Sequence, residues 1–379
     1  MIQRPLAAES VLRYPQVVEW DREGRRRLPQ GSSGKPRMRR SDRLLQVLAE
    51  YERVAVITHD TPDPDAIAAG WAVYVLVQER LKKAVRLIGG GAVVRAENVH
   101  MLKLLRPPLE LLNKYAPEPC CAPVLVDCAP EGANHLLGGG LAQPVAVIDH
   151  HQSVRLPKRV RYRDNRTRAA AVATMAASYL REQAVQPSSE LATAMLYAVR
   201  TESLGRYGPF TRTDRGIITW LAERADHRAL VEIQNAPLSP EYFGELQLAI
   251  GNTLVCGDVA VCLLPHAASP EIVGEVADLL IRCTSVQRVL CGAVVAGDLI
   301  LSARTSPTGG EATRLLGETL RGLGHSGGHP TRAGGKIAGG DGGGRIGQDV
   351  LDEVKRRWLR ACAVEHLLAA PLVPREGDS

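Results

Sequence analysis

"RVAVITHDTPDPDAIAAG", residues 53–70, joins two kinds of pattern through a charged turn. The apolar run Val54–Ile57 has the length of a buried strand, and "AIAAGWAVYVLVQERL", 66–81, reads as a helix. Between them lie His59, Asp60, Asp63 and Asp65, with Pro62 and Pro64 stiffening the same stretch. Carboxylates this close repel one another and are tolerated when positive charge sits among them. Asp60 alone reads as a turn residue.

The same motif of an apolar run closed by acid or histidine recurs downstream. "APVLVDCA" (122–129) ends on Asp127, and "PVAVIDHH" (144–151) ends on Asp149, His150 and His151. "AVRLIGG" (84–90) is a further strand, and "AAAVATMAASYLREQ" (169–183) and "SSELATAMLYAVR" (188–200) read as helices. Strands alternating with helices indicate an α/β fold with a mainly parallel sheet. Ligands of open α/β sheets bind at the carboxyl ends of strands, where these residues stand. Oxygen ligands with a few imidazoles suit manganese or magnesium. Several of them on one sheet edge can hold two ions, an arrangement that clamps the attacking and leaving oxygens of a phosphoryl displacement. A lone aspartate after a strand is commonly a turn residue or helix cap; the ordered set of three strand ends carries the reading.

Composition bounds the rest. At 379 residues, two domains plus extensions are expected. Hydrophobic residues are 45% but aromatics only 4%, so aliphatic and alanine packing must build the core. The net charge of +6 suits a phosphate-bearing partner without requiring one. No apolar stretch reaches about 20 residues, so no membrane span is expected. The first residues lack an apolar signal core, so a cytoplasmic protein is expected. Eight cysteines form no C-x-x-C pair, which argues against a thiolate zinc site and for buried reduced thiols.

The chain divides into a flexible basic arm at 1–40, a first α/β domain at 41–234, a linker at 235–243, a smaller α/β domain at 244–345, and a C-terminal helix and tail at 346–379. Ser41 is placed to cap the first helix. "GHSGGHPTRAGG" (324–335) reads as a glycine-rich loop before a short strand, and "GGDGGGR" (339–345) as a mobile connection.

"THDTPDPDAIA", "VLVDCA", "VIDHH" and "SGGHPTRAGG", in that order, resemble the DHH phosphoesterase superfamily, the last being similar to the motif of its DHHA1 domain. That branch holds RecJ-type exonucleases, oligoribonuclease/pAp phosphatases and cyclic-dinucleotide phosphodiesterases. The resemblance implies a DHH catalytic domain and a DHHA1 substrate domain. It implies that His59 and Asp63 bind one metal, that Asp65 and His150 bind the other, and that Asp127 bridges both. His151 would face the scissile phosphate, with Asp149 orienting the neighbouring histidine. Where the family has an aspartate in a T-D-T motif, this chain has Glu202 in "RTES", one methylene longer. Arg304, Gly327, Gly328, His329 and Arg332 would meet substrate. The activity implied is hydrolysis of short oligoribonucleotides or dinucleotides by a hydroxide held between two Mn²⁺ ions, with Mg²⁺ an alternative. The alternatives are a pAp phosphatase, a cyclic-dinucleotide phosphodiesterase and a catalytically weak nucleotide-binding protein. The expected partner is a small nucleotide or a short single-stranded RNA or DNA, and a homodimer is compatible with the reading.

Overall fold

The computed structural model describes residues 38–131, 134–138, 143–151, 159–203, 210–339 and 346–374. Most of the expected basic arm and the connection at 340–345 lie outside these residues.

The first half runs α1 (Arg40–Leu48), β1 (Arg53–Ile57), α2 (Pro64–Leu81), β2 (Ala84–Gly90), α3 (Ala96–Leu105), β3 (Leu109–Leu112), β4 (Cys121–Val126), β5 (Ala146–Asp149), β6 (Tyr162–Asn165), α4 (Val172–Glu182), α5 (Ser189–Ser203), α6 (Arg212–Ala222) and α7 (His227–Gln234). Its six strands are all parallel, in the order β3-β2-β1-β4-β5-β6. The order reverses at β1, whose neighbours are β2 and β4, so the carboxyl ends of β1 and β4 flank the switch point of the sheet.

Successive strand residues face opposite sides. Val54, Val56, Val124, Val126 and Ile148 pack with α2, α4 and α5 in one core, and Ala55, Ile57, Leu125 and Val147 pack with Tyr115 and Leu137 in another. A sheet covered on both faces needs apolar residues throughout its central strands, which is why these strands read as unbroken apolar runs.

Ser41 does not cap α1. The N-cap position is Arg39, and Ser41 is buried in the first turn, where its Oγ donates to Glu182 Oε2 at 2.6 Å. Tertiary pairing with the end of α4 outcompetes the local cap.

The second half runs α8 (Pro240–Gly251), β7 (Leu254–Cys256), β8 (Val259–Leu264), α9 (Glu271–Leu280), β9 (Arg288–Val295), β10 (Asp298–Thr305), α10 (Ala312–Leu320), β11 (His325–His329), β12 (Arg332–Ile337), α11 (Gln348–Ala361) and β13 (Ala370–Pro371). Its sheet has the order β11-β12-β10-β9-β8-β7-β13, with only β8 and β9 parallel. One face packs on α10 and α11, the other on α8 and α9.

The glycine-rich stretch expected as a loop is instead the hairpin β11–β12, turning through Pro330 and Thr331. Two of its glycines serve close approach. A Cβ on Gly335 would lie 2.5 Å from Leu320 Cδ1, and Gly328, at φ +139°, lies so near its partner strand that a Cβ would meet the Arg332 carbonyl at 2.4 Å. The expected linker is partly helical, because Ser239 caps α8 and Pro240 takes its first position, where a missing N–H costs nothing.

Candidate metal centre

The turn after β1 is built by its own polar residues. Asp63 is the N-cap of α2, its Oδ1 accepting from Ala66 N at 3.0 Å, and Pro64 opens the helix. This brings Asp63 back beside His59, whose Nδ1 donates to the Asp60 carbonyl at 2.8 Å and whose Nε2 is 3.8 Å from Asp63 Oδ1 and 3.9 Å from Asp127 Oδ2. Asp65, in the first turn of α2, is 1% exposed, and its two oxygens accept from Val172 N and Ala173 N of α4, each at 2.7 Å.

Asp127 follows β4 in the left-handed region, φ +60°, which aspartate tolerates better than most residues. Its amide donates to the Ile148 carbonyl of β5 at 2.9 Å. Oδ1 lies 3.8 Å from His150 Nε2 and 3.7 Å from His151 Nδ1. These separations exceed hydrogen-bond length. Oδ1 is buried without a hydrogen-bond partner. Burial, then the charges of Asp65, Asp63, Asp149 and Glu202, push its pKa well above the carboxylate range.

Asp149 ends β5 fully buried. Its Oδ1 accepts from the amides of His150 (2.6 Å) and His151 (3.1 Å) and from His151 Nδ1 (2.7 Å). It therefore fixes both the turn and the His151 ring.

Electrostatics divide these groups. Burial raises Asp65 to about 7, helped by Asp63 and opposed by the α4 amides. For His59, burial is outweighed by contact with Asp63, and the pKa rises to about 9; the same contact overcomes burial at Asp63 and lowers it to about 2. Burial and the neighbouring His151 and His329 lower His150 to about 4, leaving a neutral imidazole of the form that ligates metals.

Among the described residues, ligand atoms within 4.8 Å of one another form three clusters that share Asp127: His59–Asp63–Asp127, Asp65–Asp127–His150 and Asp127–Asp149–His151. The buried carboxylates Asp65 and Asp127, beside the half-buried Asp63 and with an orphaned oxygen at the shared residue, fit divalent cations. Glu202 lies outside these three-ligand clusters among the described residues, but it lines the same cavity, about 750 Å³, as His59, Asp127, His151, Gly327, Gly328 and His329. Asp63 and Glu202 also line an adjoining cavity of about 850 Å³ with Arg95, Arg282, Arg304 and Arg332. Arg304 Nε pairs with Asp278 Oδ1 at 2.6 Å, and Arg332 with the same oxygen at 3.6 Å.

Residues 53–199 match the model of the DHH family's N-terminal domain. Within those residues the chain carries a DHH-type domain. DHH phosphoesterases depend on divalent metal ions, which agrees with the clustered ligands. The uncharacterised protein MJ1633 of Methanocaldococcus jannaschii is 28% identical over 283 residues, 74% of this chain but only 57% of that protein's length. An exopolyphosphatase-related protein from Bacteroides fragilis is structurally similar, with TM-score 0.68 and 14% identity over 86% of this chain and 97% of that one, a likeness of fold spanning both sheets. A weaker likeness, TM-score 0.44 at 14% identity, is to RecJ from Thermus thermophilus in complex with Mg²⁺, over 86% of this chain and 52% of that one.

Several residues of this site carry no motif in the sequence. His135 forms a backbone bridge with His59, and its ring lies between Ala129 O and Leu137 N, bracing the turn. Gly90 abuts Asp60 so closely that a Cβ would fall 2.0 Å from Oδ1. Asp278 on α9 and Arg95, which precedes α3, also line the cleft. No helix of the described residues is long and apolar enough to cross a membrane.

Proposed function

We propose that this DHH protein hydrolyses small nucleotidic phosphoesters, short oligoribonucleotides or dinucleotides, with two divalent cations, Mn²⁺ or Mg²⁺. The observation that carries the reading is Asp127, buried, orphaned at Oδ1 and common to the cluster with His59 and Asp63 and the cluster with Asp65 and His150. We assign His59, Asp63 and Asp127 to one cation, and Asp65, Asp127, His150 and Glu202 to the other. Such ions, when bound, neutralise phosphate charge and lower the pKa of an attacking water. Asp149 holds His151 at Nδ1, so Nε2 is the nitrogen that donates to the phosphate or to the leaving oxygen. Asp278 fans Arg304 and Arg332 along the adjoining cavity, where their guanidinium groups suit a nucleotide phosphate. His329 and the backbone at Gly327 and Gly328 close over the scissile end. Adjoining cavities of about 750 and 850 Å³ suit a two-nucleotide ligand, not a long duplex.

The second reading is a nucleotide-binding protein of weak turnover, favoured by Glu202 lying outside the three-ligand clusters. The deciding experiment measures Mn²⁺-dependent turnover of a linear dinucleotide, 3′-phosphoadenosine 5′-phosphate and a cyclic dinucleotide. The linear dinucleotide is expected to be cleaved fastest. Asp127→Ala should lower turnover by about 10²–10³-fold or more with an unchanged circular dichroism spectrum, and Glu202→Gln should lower it as well. Substantial activity in Asp127→Ala would overturn the two-cation assignment. Full activity in Glu202→Gln would remove Glu202 from the ligand set.

A further inference from the structure

His150 and His151, from the first sheet, meet His329 at the tip of the β11–β12 hairpin. Their ring centroids are 5.1 Å (His150–His151), 5.5 Å (His150–His329) and 4.7 Å (His151–His329) apart. One ring nitrogen of each lies within 4.8 Å of the other two. Imidazoles bound tetrahedrally at a Zn–N distance of about 2.0–2.1 Å have centroids about 5 Å apart, and the observed spacings bracket that value. The tautomers agree. His151 Nδ1 is taken by Asp149 at 2.7 Å and His150 Nδ1 faces the Ala169 carbonyl at 3.4 Å, so Nε2 of these two rings is the nitrogen turned to an ion.

We propose that this triad is a third cation site, all nitrogen, that takes a borderline cation of the Zn²⁺ class and staples the second lobe onto the first. An all-imidazole set favours Zn²⁺ over Mn²⁺ and Mg²⁺, which prefer oxygen. One consequence rests on the function proposed above. His150 belongs to both sets, so Zn²⁺ in the triad excludes the cation assigned to Asp65, Asp127 and His150 and inhibits turnover.

The test uses the full chain freed of metal by chelation. Zn²⁺ binding is followed by calorimetry, and Co²⁺ is used as a spectroscopic substitute whose tetrahedral complexes absorb strongly in the visible. Wild type is expected to give the tetrahedral band. His329→Ala and His329→Gln, verified as folded by circular dichroism, should lose the band and raise the Zn²⁺ dissociation constant by about tenfold or more. Asp127→Ala should keep the band while losing Mn²⁺-dependent turnover, which separates this site from the two-cation reading. Retention of the band in both His329 variants, or its loss in Asp127→Ala, would overturn the proposal.

Discussion

Asp149 Oδ1 accepts three hydrogen bonds from the two residues that follow it, and so sets the direction of the His151 ring. A carboxylate used this way positions its neighbour without touching substrate. Asp149→Asn preserves size but loses the charge-assisted bond to Nδ1. The expected outcome is a kcat lower by about 10–100-fold with little change in KM, measured by steady-state kinetics; a rise in KM at unchanged kcat would contradict the positioning role. At this scale the sequence was most informative about residues that follow strands. His59, Asp127, Asp149, His150 and His151 stand where buried strands end, and the chain order of their motifs was enough to group them. His135 and Asp278 act through space on residues distant in sequence, so nothing in their own neighbourhoods distinguishes them.

Elements were legible in proportion to their burial. β1, β4 and β5 have both faces covered and appear as apolar runs, whereas β3 is partly exposed throughout and β6 alternates buried with exposed or half-buried residues, leaving no such run. β11 and the start of β12 were hidden by glycines, of which Gly328 and Gly335 serve close packing. The end of β2 belongs to the same class. In "IGGGA", Gly90 leaves room for Asp60, one residue from His59. Gly90→Ala must displace Asp60 and with it the turn, at a cost of about 1–3 kcal/mol from overpacking. Both a lower melting temperature and weaker Mn²⁺ binding are expected. A stability loss with Mn²⁺ affinity intact would show that the turn adjusts without moving its ligands.

In the whole molecule, two sheets divide the labour. The parallel sheet gathers the acids and histidines, while the mixed sheet supplies Arg304, Arg332 and His329 to the facing side of the cleft. Arg304→Ala and Arg332→Ala should therefore raise KM for a dinucleotide by the equivalent of about 1.5–3 kcal/mol each, with Mn²⁺ affinity unchanged in calorimetry. Unaltered KM in both would remove the second sheet from substrate capture. Asp65 adds a mechanical consequence. Its oxygens are the anchor of the first amides of α4, and the last residue of that helix, Glu182, holds Ser41 of α1. A rod of 11 residues, about 16 Å long, thus runs from the ligand cluster to α1. A cation that steadies Asp65 steadies the near end of this rod, so hydrogen exchange at Val172 and Ala173 should slow when Mn²⁺ is added; equal exchange with and without the ion would mean that the helix and the metal centre keep time independently.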